Sequence, residues 1–271
     1  MLKTVKELTK RLVQVEHKLD ALIVHFSSFN LSHQVERTLS GIPPVTPPGS
    51  PVKMIREKAI ICYDLETTSI GDTSKIGIRE IAAICGPCPM WGEKDRDTQY
   101  DVFRSAVNPE MKTSKAAQDI APVDITDAET WDIVGTSFAR WIHGQLGKAE
   151  PQPKLFLCGW NSKRFDSRIL MFNNAKYGVD FTQLARSVFF VDLLEIVKMM
   201  RPEIKAPRKL ATVHKKIVGG PMRGEHTAMG DSDAVRSIAL QLSINDEERF
   251  WTLIDEKSET LWAVMKRCKL C

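Results

Sequence analysis

The chain has 271 residues and a formal net charge of +4, and 43% of its residues are hydrophobic. This composition excludes a wholly disordered chain, and the length suits one enzyme domain with its own core. No apolar run reaches the roughly 18 residues that a membrane-spanning helix needs, and the N-terminus lacks a signal-peptide core. We expect a soluble intracellular protein, in the nucleus or cytoplasm, with no membrane partner. The small positive charge is compatible with a nucleic-acid partner but does not argue for one alone.

A sustained apolar repeat occupies residues 1–28. Its steps alternate between four and three residues, as at Leu8, Leu12 and Val15, which is typical of a coiled-coil seam. We predict an oligomerisation helix over residues 1–35 and a parallel homodimer through residues 1–28. The alternative is an amphipathic helix that packs against the chain's own enzyme domain.

Residues 41–51 are rich in proline and glycine, with the sequence Gly-Ile-Pro-Pro-Val-Thr-Pro-Pro-Gly-Ser-Pro. Such a segment is extended and semi-rigid. We therefore predict a Pro-rich linker over residues 36–55 and an enzyme domain over residues 56–271. Pro44 and Pro47 also fit a polyproline recognition motif, with a plain spacer as the alternative.

The pattern changes at residue 58, where apolar runs begin to alternate with helical periodicities. Strands are predicted at Lys58–Tyr63, Ile76–Ile84, Tyr100–Val107, Leu155–Trp160 and Phe189–Asp192. Helices are predicted over Ala128–Leu146, after Trp160 through Phe172, through Met200, around Leu210, after Gly230, and as one covering helix from Asp246. Strands first and then alternating helices and strands predict one α/β domain with a mixed sheet.

Two Cys-x-x-Cys pairs, Cys85/Cys88 and Cys268/Cys271, stand near the second strand and at the last residues. Each has the spacing of half a four-cysteine zinc site. Unrelated thiols, a shared zinc site and a disulfide or redox pair remain open.

The first chemical signal is Asp64-Leu-Glu66 at the end of a predicted buried strand. Residues two apart on a strand point to the same face. Two neighbouring anions at the edge of a core are costly unless a cation compensates them, and oxygen ligands suit Mg²⁺ or Mn²⁺. The alternative is a strand that simply emerges into solvent.

Two further acids follow at comparable places. Asp166 comes after a strand and a polar loop, at the start of a predicted helix, and Asp231 opens another helix five residues after His226. Ordinary capping acids are the alternative in both cases. Asp233 lies near Asp231, but the spacing from His226 favours Asp231.

Taken together and in this order, Asp64-x-Glu66, Asn161-x4-Asp166 and His226-x4-Asp231 resemble the three motifs of the DEDDh 3′→5′ exonuclease superfamily. The resemblance is closest to the three-prime repair exonuclease family, because Arg164 and Phe165 precede Asp166 and the third motif runs His226-Thr-Ala-Met-Gly-Asp. It covers about residues 56–245. The exonuclease-like domain of the promyelocytic leukaemia protein is a related resemblance. Trp160 departs from the pattern, since that family usually has His there.

The resemblance implies an RNase H-like α/β fold with a mixed five-stranded sheet flanked by helices. The coiled-coil helix predicted from the apolar repeat would precede this domain. The resemblance also implies a hydrolase with two Mg²⁺ or Mn²⁺ ions bound by four acids: Asp64, Glu66, Asp166 and Asp231. His226 would be the general base. Leu65, Thr67, Asn161 and Arg164 would bind the substrate.

The implied substrates are single-stranded or frayed 3′ ends, with DNA preferred and RNA as a second substrate. Basic side chains near the motifs could contact phosphates, although each is also an ordinary solvated charge: Lys163, Arg164, Lys205, Arg208, Lys209, Lys215, Lys216 and Arg223. The alternative function is a catalytically weak nucleic-acid-binding scaffold with a nuclease fold, oligomerised by its N-terminal helix. All five candidate catalytic residues are present, which favours the enzyme.

Overall fold

The structure, a computed structural model, describes residues 58–86, 100–147 and 154–271. These residues belong to one unit that spans residues 55–271. The predicted coiled coil and its dimer, the Pro-rich linker, and Cys88 lie outside the described residues. The domain boundaries, the homodimer and the zinc interpretation of the cysteine pairs therefore stay predictions.

The described strands form one mixed sheet. They are β1 (Lys58–Thr67), β2 (Ile78–Cys85), β3 (Asp101–Ala106), β4 (Lys154–Gly159), β5 (Val188–Asp192) and β6 (Glu259–Thr260). Their order is β3-β2-β1-β4-β5-β6. β1 lies antiparallel to β2 and parallel to β4, so the sheet is mixed as predicted.

The predicted strand number of five is wrong, because the described sheet has six strands. The additional strand, β6, is only two residues long and pairs antiparallel with the end of β5. A segment of that length has no detectable alternation of apolar and polar residues, so the sequence pattern does not reveal it.

The described helices are α1 (Lys115–Ile120), α2 (Trp131–Leu146), α3 (Asp166–Tyr177), α4 (Leu193–Met200), α5 (Leu210–Ile217), α6 (Ala228–Asn245), α7 (Glu247–Lys257) and α8 (Leu261–Arg267). The helix predicted from Ala128 begins at Trp131, after Thr130 in extended backbone. Nowhere in these segments is a helix long and apolar enough to cross a membrane.

The single covering helix predicted from Asp246 is wrong, since two helices with β6 between them occupy this segment. Ser258 has extended backbone and ends α7. The Thr260 hydroxyl accepts a hydrogen bond from the Ala263 backbone N–H at 3.2 Å and starts α8. Helical apolar spacing continues across the break, whereas the capping threonine carries the signal that separates the two helices.

Two apolar cores lie on the two faces of the sheet. Ile61, Tyr63 and Leu65 of β1 point into the core that includes α2 and α3. Ile60 and Cys62 point into the core that includes α4, α6 and α7. Because side chains alternate along a strand, Asp64 and Glu66 point to the same face of β1 as Ile60 and Cys62, at the edge of that core.

Candidate active site

Asp64 and Glu66 lie on the α6 side of β1, near its C-terminal end. Both side chains are partly buried. The regular pairing of β1 with β2 shifts between Glu66 and Thr67. The strand therefore places two carboxylates at the edge of the core, as their spacing predicts, and then leaves the ladder.

Asp231 joins these two carboxylates from the first turn of α6. One ligand oxygen from each of Asp64, Glu66 and Asp231 lies within 4.8 Å of the other two, and this is the only such acidic, Cys or His group among the described residues. We call these three side chains the acidic cluster. Asp233, two residues further on, instead accepts hydrogen bonds from Arg236 at 2.7 and 2.9 Å.

Asp166 lies beside the acidic cluster without belonging to the tightest group. It is the first residue of α3, which follows β4, and β4 is the parallel neighbour of β1. The residue is 5% exposed. Its negative charge raises the pKa of Asp64, so the two carboxyls are electrostatically coupled.

Burial raises the pKa of each of these carboxyls, and mutual repulsion adds to the rise for Asp64, Glu66 and Asp166. The pKa of Asp166 rises to about 8, through burial and then the charge of Asp192. Burial, followed by the charge of Asp231, raises the pKa of Glu66 to about 7. Burial raises the pKa of Asp231 to about 6, and burial and the Asp166 charge raise that of Asp64 well above its ordinary range. Without a metal, these carboxyls therefore hold protons at a higher pH than ordinary carboxyls do, and a bound cation would displace those protons.

The donor set fits a hard divalent cation. Every candidate ligand atom in the acidic cluster is a carboxylate oxygen, which is the donor that Mg²⁺ and Mn²⁺ prefer. In addition, Oδ1 of Asp231 is buried and has no hydrogen-bond partner among the described residues. A buried polar atom without a partner is costly, and a cation between these oxygens would provide one.

His226 lies in the loop that leads into α6, and its side chain is 56% exposed. Its Nε2 atom is 3.8 Å from Oε1 of Glu225. Hydrogen bonding from the His226 backbone and the nearby imidazole both lower the pKa of Asp231, which places this histidine next to the acidic cluster. The residue has a positive φ of 65°, an uncommon backbone conformation for a residue other than glycine.

The loop before α6 is fastened through Thr227. The Thr227 hydroxyl accepts a hydrogen bond from the Gly230 backbone N–H at 3.0 Å and donates one to the Gly224 carbonyl at 2.8 Å. A Cβ atom on Gly230 would lie 2.0 Å from that carbonyl oxygen. Only glycine at position 230 therefore allows the helix to begin this close to the loop.

The predicted substrate-binding residues occupy different environments. Leu65 is 5% exposed and packs in the core with α2 and α3. The buried Thr67 hydroxyl donates to the Ser69 carbonyl at 3.0 Å. Asn161 and Arg164 are exposed in the loop before α3. The structure thus leaves the last two accessible to a ligand, whereas the Leu65 side chain contributes to the core.

Lys163, one of the predicted phosphate contacts, has a protein partner. Its Nζ atom lies 2.7 Å from Oε2 of Glu195, and its side chain is only 15% exposed. The ion pair connects the loop before α3 to α4. Lys163 therefore helps to hold the segment that carries Asp166.

Sequence reasoning missed two buried acids. Glu80 on β2 lies directly opposite Glu66 in the strand register, and its charge raises the pKa of both Asp64 and Glu66. Asp192, at the end of β5, caps α4 through the Leu194 backbone N–H at 3.0 Å. The signal for Glu80 was an ionisable residue inside the strand Ile-Arg-Glu-Ile-Ala-Ala-Ile-Cys, which is otherwise apolar apart from the adjacent arginine.

Arg79 stands next to Glu80 and is also buried. Its guanidinium donates to the carbonyls of Ala117 and Ala121 at 3.2 and 2.9 Å. Its charge lowers the pKa of Glu66. One arginine therefore both holds α1 and offsets part of the negative charge of the acidic cluster.

No family model and no curated protein matches the chain. Solved structures do match its fold. Cell-death related nuclease 4 is 19% identical with a TM-score of 0.53, over 70% of this chain and 66% of that one. The complex of E. coli exonuclease I with a dA16 oligonucleotide is 18% identical with a TM-score of 0.54, over 72% of this chain and 43% of that one. The chain has the fold of these exonucleases.

A second exonuclease I structure is 19% identical with a TM-score of 0.56, over 73% of this chain and 44% of that one. The chain thus spans just under two thirds of cell-death related nuclease 4 and less than half of exonuclease I. These neighbours and the mixed sheet confirm the predicted RNase H-like α/β fold, whereas membership of the DEDDh exonuclease superfamily stays a prediction. The nearer kinship to the three-prime repair exonucleases or to the promyelocytic leukaemia protein stays a prediction.

The raised pKa values predict that the metal-free protein loses stability as the pH rises. Unfolded carboxyls ionise near pH 4, whereas Asp231, Glu66 and Asp166 hold their protons to about pH 6, 7 and 8 in the folded chain. Their stabilising contribution is complete below the unfolded pKa and disappears as the pH rises through the folded values. Thermal unfolding in EDTA should therefore give a Tm that falls between about pH 5 and pH 9, which brackets these values.

Asp166→Asn should flatten this fall, because it removes one of the raised carboxyls. Asp233→Asn, in the same helix as Asp231, should leave the fall unchanged. A Tm that stays level or rises over the same range in EDTA would show that the folded carboxyls ionise freely and that the cluster is not strained by repulsion.

Proposed function

We propose that the chain is a metal-dependent 3′→5′ exonuclease, a hydrolase that cleaves phosphodiester bonds at the 3′ ends of nucleic acid. The observation that carries this proposal is the acidic cluster in an exonuclease fold. Three carboxylate oxygens lie within 4.8 Å of one another, and a buried oxygen of Asp231 lacks a partner among the described residues. Asp166 and His226 lie beside them.

The acidic cluster, together with Asp166, would hold two Mg²⁺ or Mn²⁺ ions. When bound, the ions supply an activated water and neutralise charge on the attacking and leaving oxygens. The chain's own contribution is to gather four anions on one rigid strand, β1, and at two helix N-termini. Residues so placed keep their geometry when the substrate binds.

His226 would accept the proton of the attacking water. Histidine side chains exchange protons near neutral pH, and a general base must lie within hydrogen-bond reach of the proton that it accepts. His226 is close enough to Asp231 to lower its pKa, and its exposed imidazole can approach a substrate from solvent. The two residues are carried by the same loop and helix, so they keep their relative position.

The substrate class is supported by the distribution of charge. Residues 201–223 contain seven Lys and Arg and one acid, a net charge of +6, whereas the whole chain has +4. The remainder of the chain is therefore net negative. In this segment Lys205, Lys209, Lys215, Lys216 and Arg223 are exposed.

This basic segment ends at Arg223, directly before the loop that carries His226. It includes α5, which packs against α6. A polyanion held along it would be led towards the acidic cluster. We infer a single strand with a 3′ end, DNA in preference to RNA. The direction of cleavage and the DNA preference rest on the motif resemblance. The fold neighbour exonuclease I, which was solved with dA16, supports a single-stranded substrate.

Neutralising the candidate ligands should abolish hydrolysis. Asp64→Asn, Asp166→Asn and Asp231→Asn each remove a charged oxygen ligand, so activity should fall to the EDTA background. His226→Ala should slow the reaction about 10²–10⁴-fold, the usual range for one general base. The measurement is digestion of 5′-labelled and 3′-labelled single-stranded DNA and RNA with Mg²⁺, Mn²⁺ or EDTA.

The labels also decide direction. A 3′→5′ enzyme shortens the 5′-labelled strand to a ladder and releases the 3′ label at once as a mononucleotide. Asp233→Asn is the matched control and should keep wild-type activity. A wild-type chain that binds the strand but releases no label with any of these ions would favour the scaffold function instead.

The basic segment should set the salt dependence of binding. Lys215→Gln and Lys216→Gln, each alone, should weaken single-stranded DNA binding and reduce the slope of log affinity against log salt by about 0.7 for each phosphate that a lysine no longer neutralises. Lys176→Gln, at the end of α3 away from Asp166, is the control. Equal slopes for all three variants and the wild type, measured by fluorescence anisotropy in EDTA, would remove this segment from the nucleic-acid interface.

A further inference from the structure

Glu80 is a buried acid that the proposed reaction does not use. It is 4% exposed. In the register of β1 and β2 it stands directly opposite Glu66, a candidate metal ligand. Like charges in directly opposed positions destabilise a sheet. Other contacts must therefore compensate for an acid at this position.

Both carboxylate oxygens of Glu80 have donors. Oε1 accepts a hydrogen bond from Nε of Arg104 at 2.7 Å. Oε2 accepts from the backbone N–H of Ala228 at 3.3 Å, in a buried environment. These contacts direct the carboxylate towards β3 on one side and towards α6 on the other.

The hydrogen bond from Ala228 to Glu80 fixes the first residue of α6. Ala228 is the first residue of α6, and the first N–H groups of a helix have no partner inside the helix. They also carry the positive end of the helix dipole, which favours a negative acceptor. Ala228 follows His226 by two residues, so the bond holds the chain at the point where the His226 loop becomes helix.

A further contact fixes the helix body but not this end. The Ser232 hydroxyl donates to the Ala82 carbonyl of β2 at 3.0 Å, one turn further along α6. Thr227 fastens the loop only to its own neighbours, Gly224 and Gly230. Among the hydrogen bonds of the described residues, the one from Ala228 to Glu80 connects the N-terminus of α6 to β2 of the sheet.

We propose that Glu80 is a positioning residue whose carboxylate, neutralised by Arg104, holds the Ala228 backbone and thereby sets the place of His226 relative to the acidic cluster. Arg104 is the outer partner, with its side chain 57% exposed against 5% for Glu80. The inference rests on the proposed function, because it concerns the base of that reaction. It assigns Glu80 no contact with substrate or metal.

Three variants of Glu80 separate this role from others. Glu80→Leu and Glu80→Met fill the space, remove the acceptor and relieve the repulsion against Glu66, so both should fold. Each should lower kcat by up to about 10²-fold with little change in KM, the effect of a misplaced catalytic group. Glu80→Gln keeps an acceptor oxygen and should retain most of the activity.

A double-mutant cycle with His226→Ala tests whether Glu80 acts through that histidine. In the His226→Ala background, Glu80→Leu should cause little further loss, because residues that act as a unit are not additive. If the two losses multiply, and the Mn²⁺ concentration for half-maximal activity rises in Glu80→Leu, Glu80 is a metal ligand and the proposal is overturned.

Hydrogen exchange gives a readout that needs no activity. In the full chain, the amides of the segment 224–231 should exchange faster in Glu80→Leu and Glu80→Met than in the wild type, and at nearly the wild-type rate in Glu80→Gln. Asp233→Asn is the control and should leave exchange unchanged. Unchanged exchange in Glu80→Leu overturns the positioning role. If the wild-type chain cleaves no nucleic acid but the Glu80 variants show this exchange pattern, the proposed function is contradicted and the Glu80 contact is still supported.

Discussion

Repulsion between buried carboxylates is the constraint on which the rest of the site depends. Asp64, Glu66, Asp166 and Asp231 meet near the C-terminal ends of β1 and β4. Burial raises the pKa of each, and mutual repulsion raises the pKa of Asp64, Glu66 and Asp166 further. Ionising these carboxyls in the metal-free protein costs folding stability. The arrangement makes sense as a binding site whose compensating charge is supplied by a divalent cation.

The fold offsets part of this repulsion by where it places the acids. Asp166 is the first residue of α3 and Asp231 lies in the first turn of α6, so both lie at the positive ends of helices. Arg79 lowers the pKa of Glu66 from within the sheet. Because the pKa values of Glu66 and Asp166 still reach about 7 and 8, these contacts compensate only partly. A bound metal would balance the negative charge that remains. The stability of the protein and its metal affinity therefore depend on the same carboxyls.

The sequence predicted the strands and helices that have a clear apolar periodicity. Features that depend on pairing between distant segments were not predicted. Asp64 and Glu66 were predicted from a two-residue spacing that a strand converts directly into a shared face. Glu80 escaped prediction because its role depends on two elements distant in sequence, Arg104 on β3 and Ala228 on α6. The strand β6 escaped for the same reason, since two residues become a strand only by pairing with β5.

The central claim is that the acidic cluster is a divalent metal site, and Mn²⁺ binding followed by electron paramagnetic resonance tests it most directly. The account predicts that the wild-type chain binds Mn²⁺ and that Asp231→Asn weakens binding by more than about tenfold, because even removal of a group that only supports a ligand has effects of that size. Asp233→Asn should bind as the wild type does. Equal affinity in Asp231→Asn and the wild type, or no Mn²⁺ bound by the wild-type chain, would contradict the account.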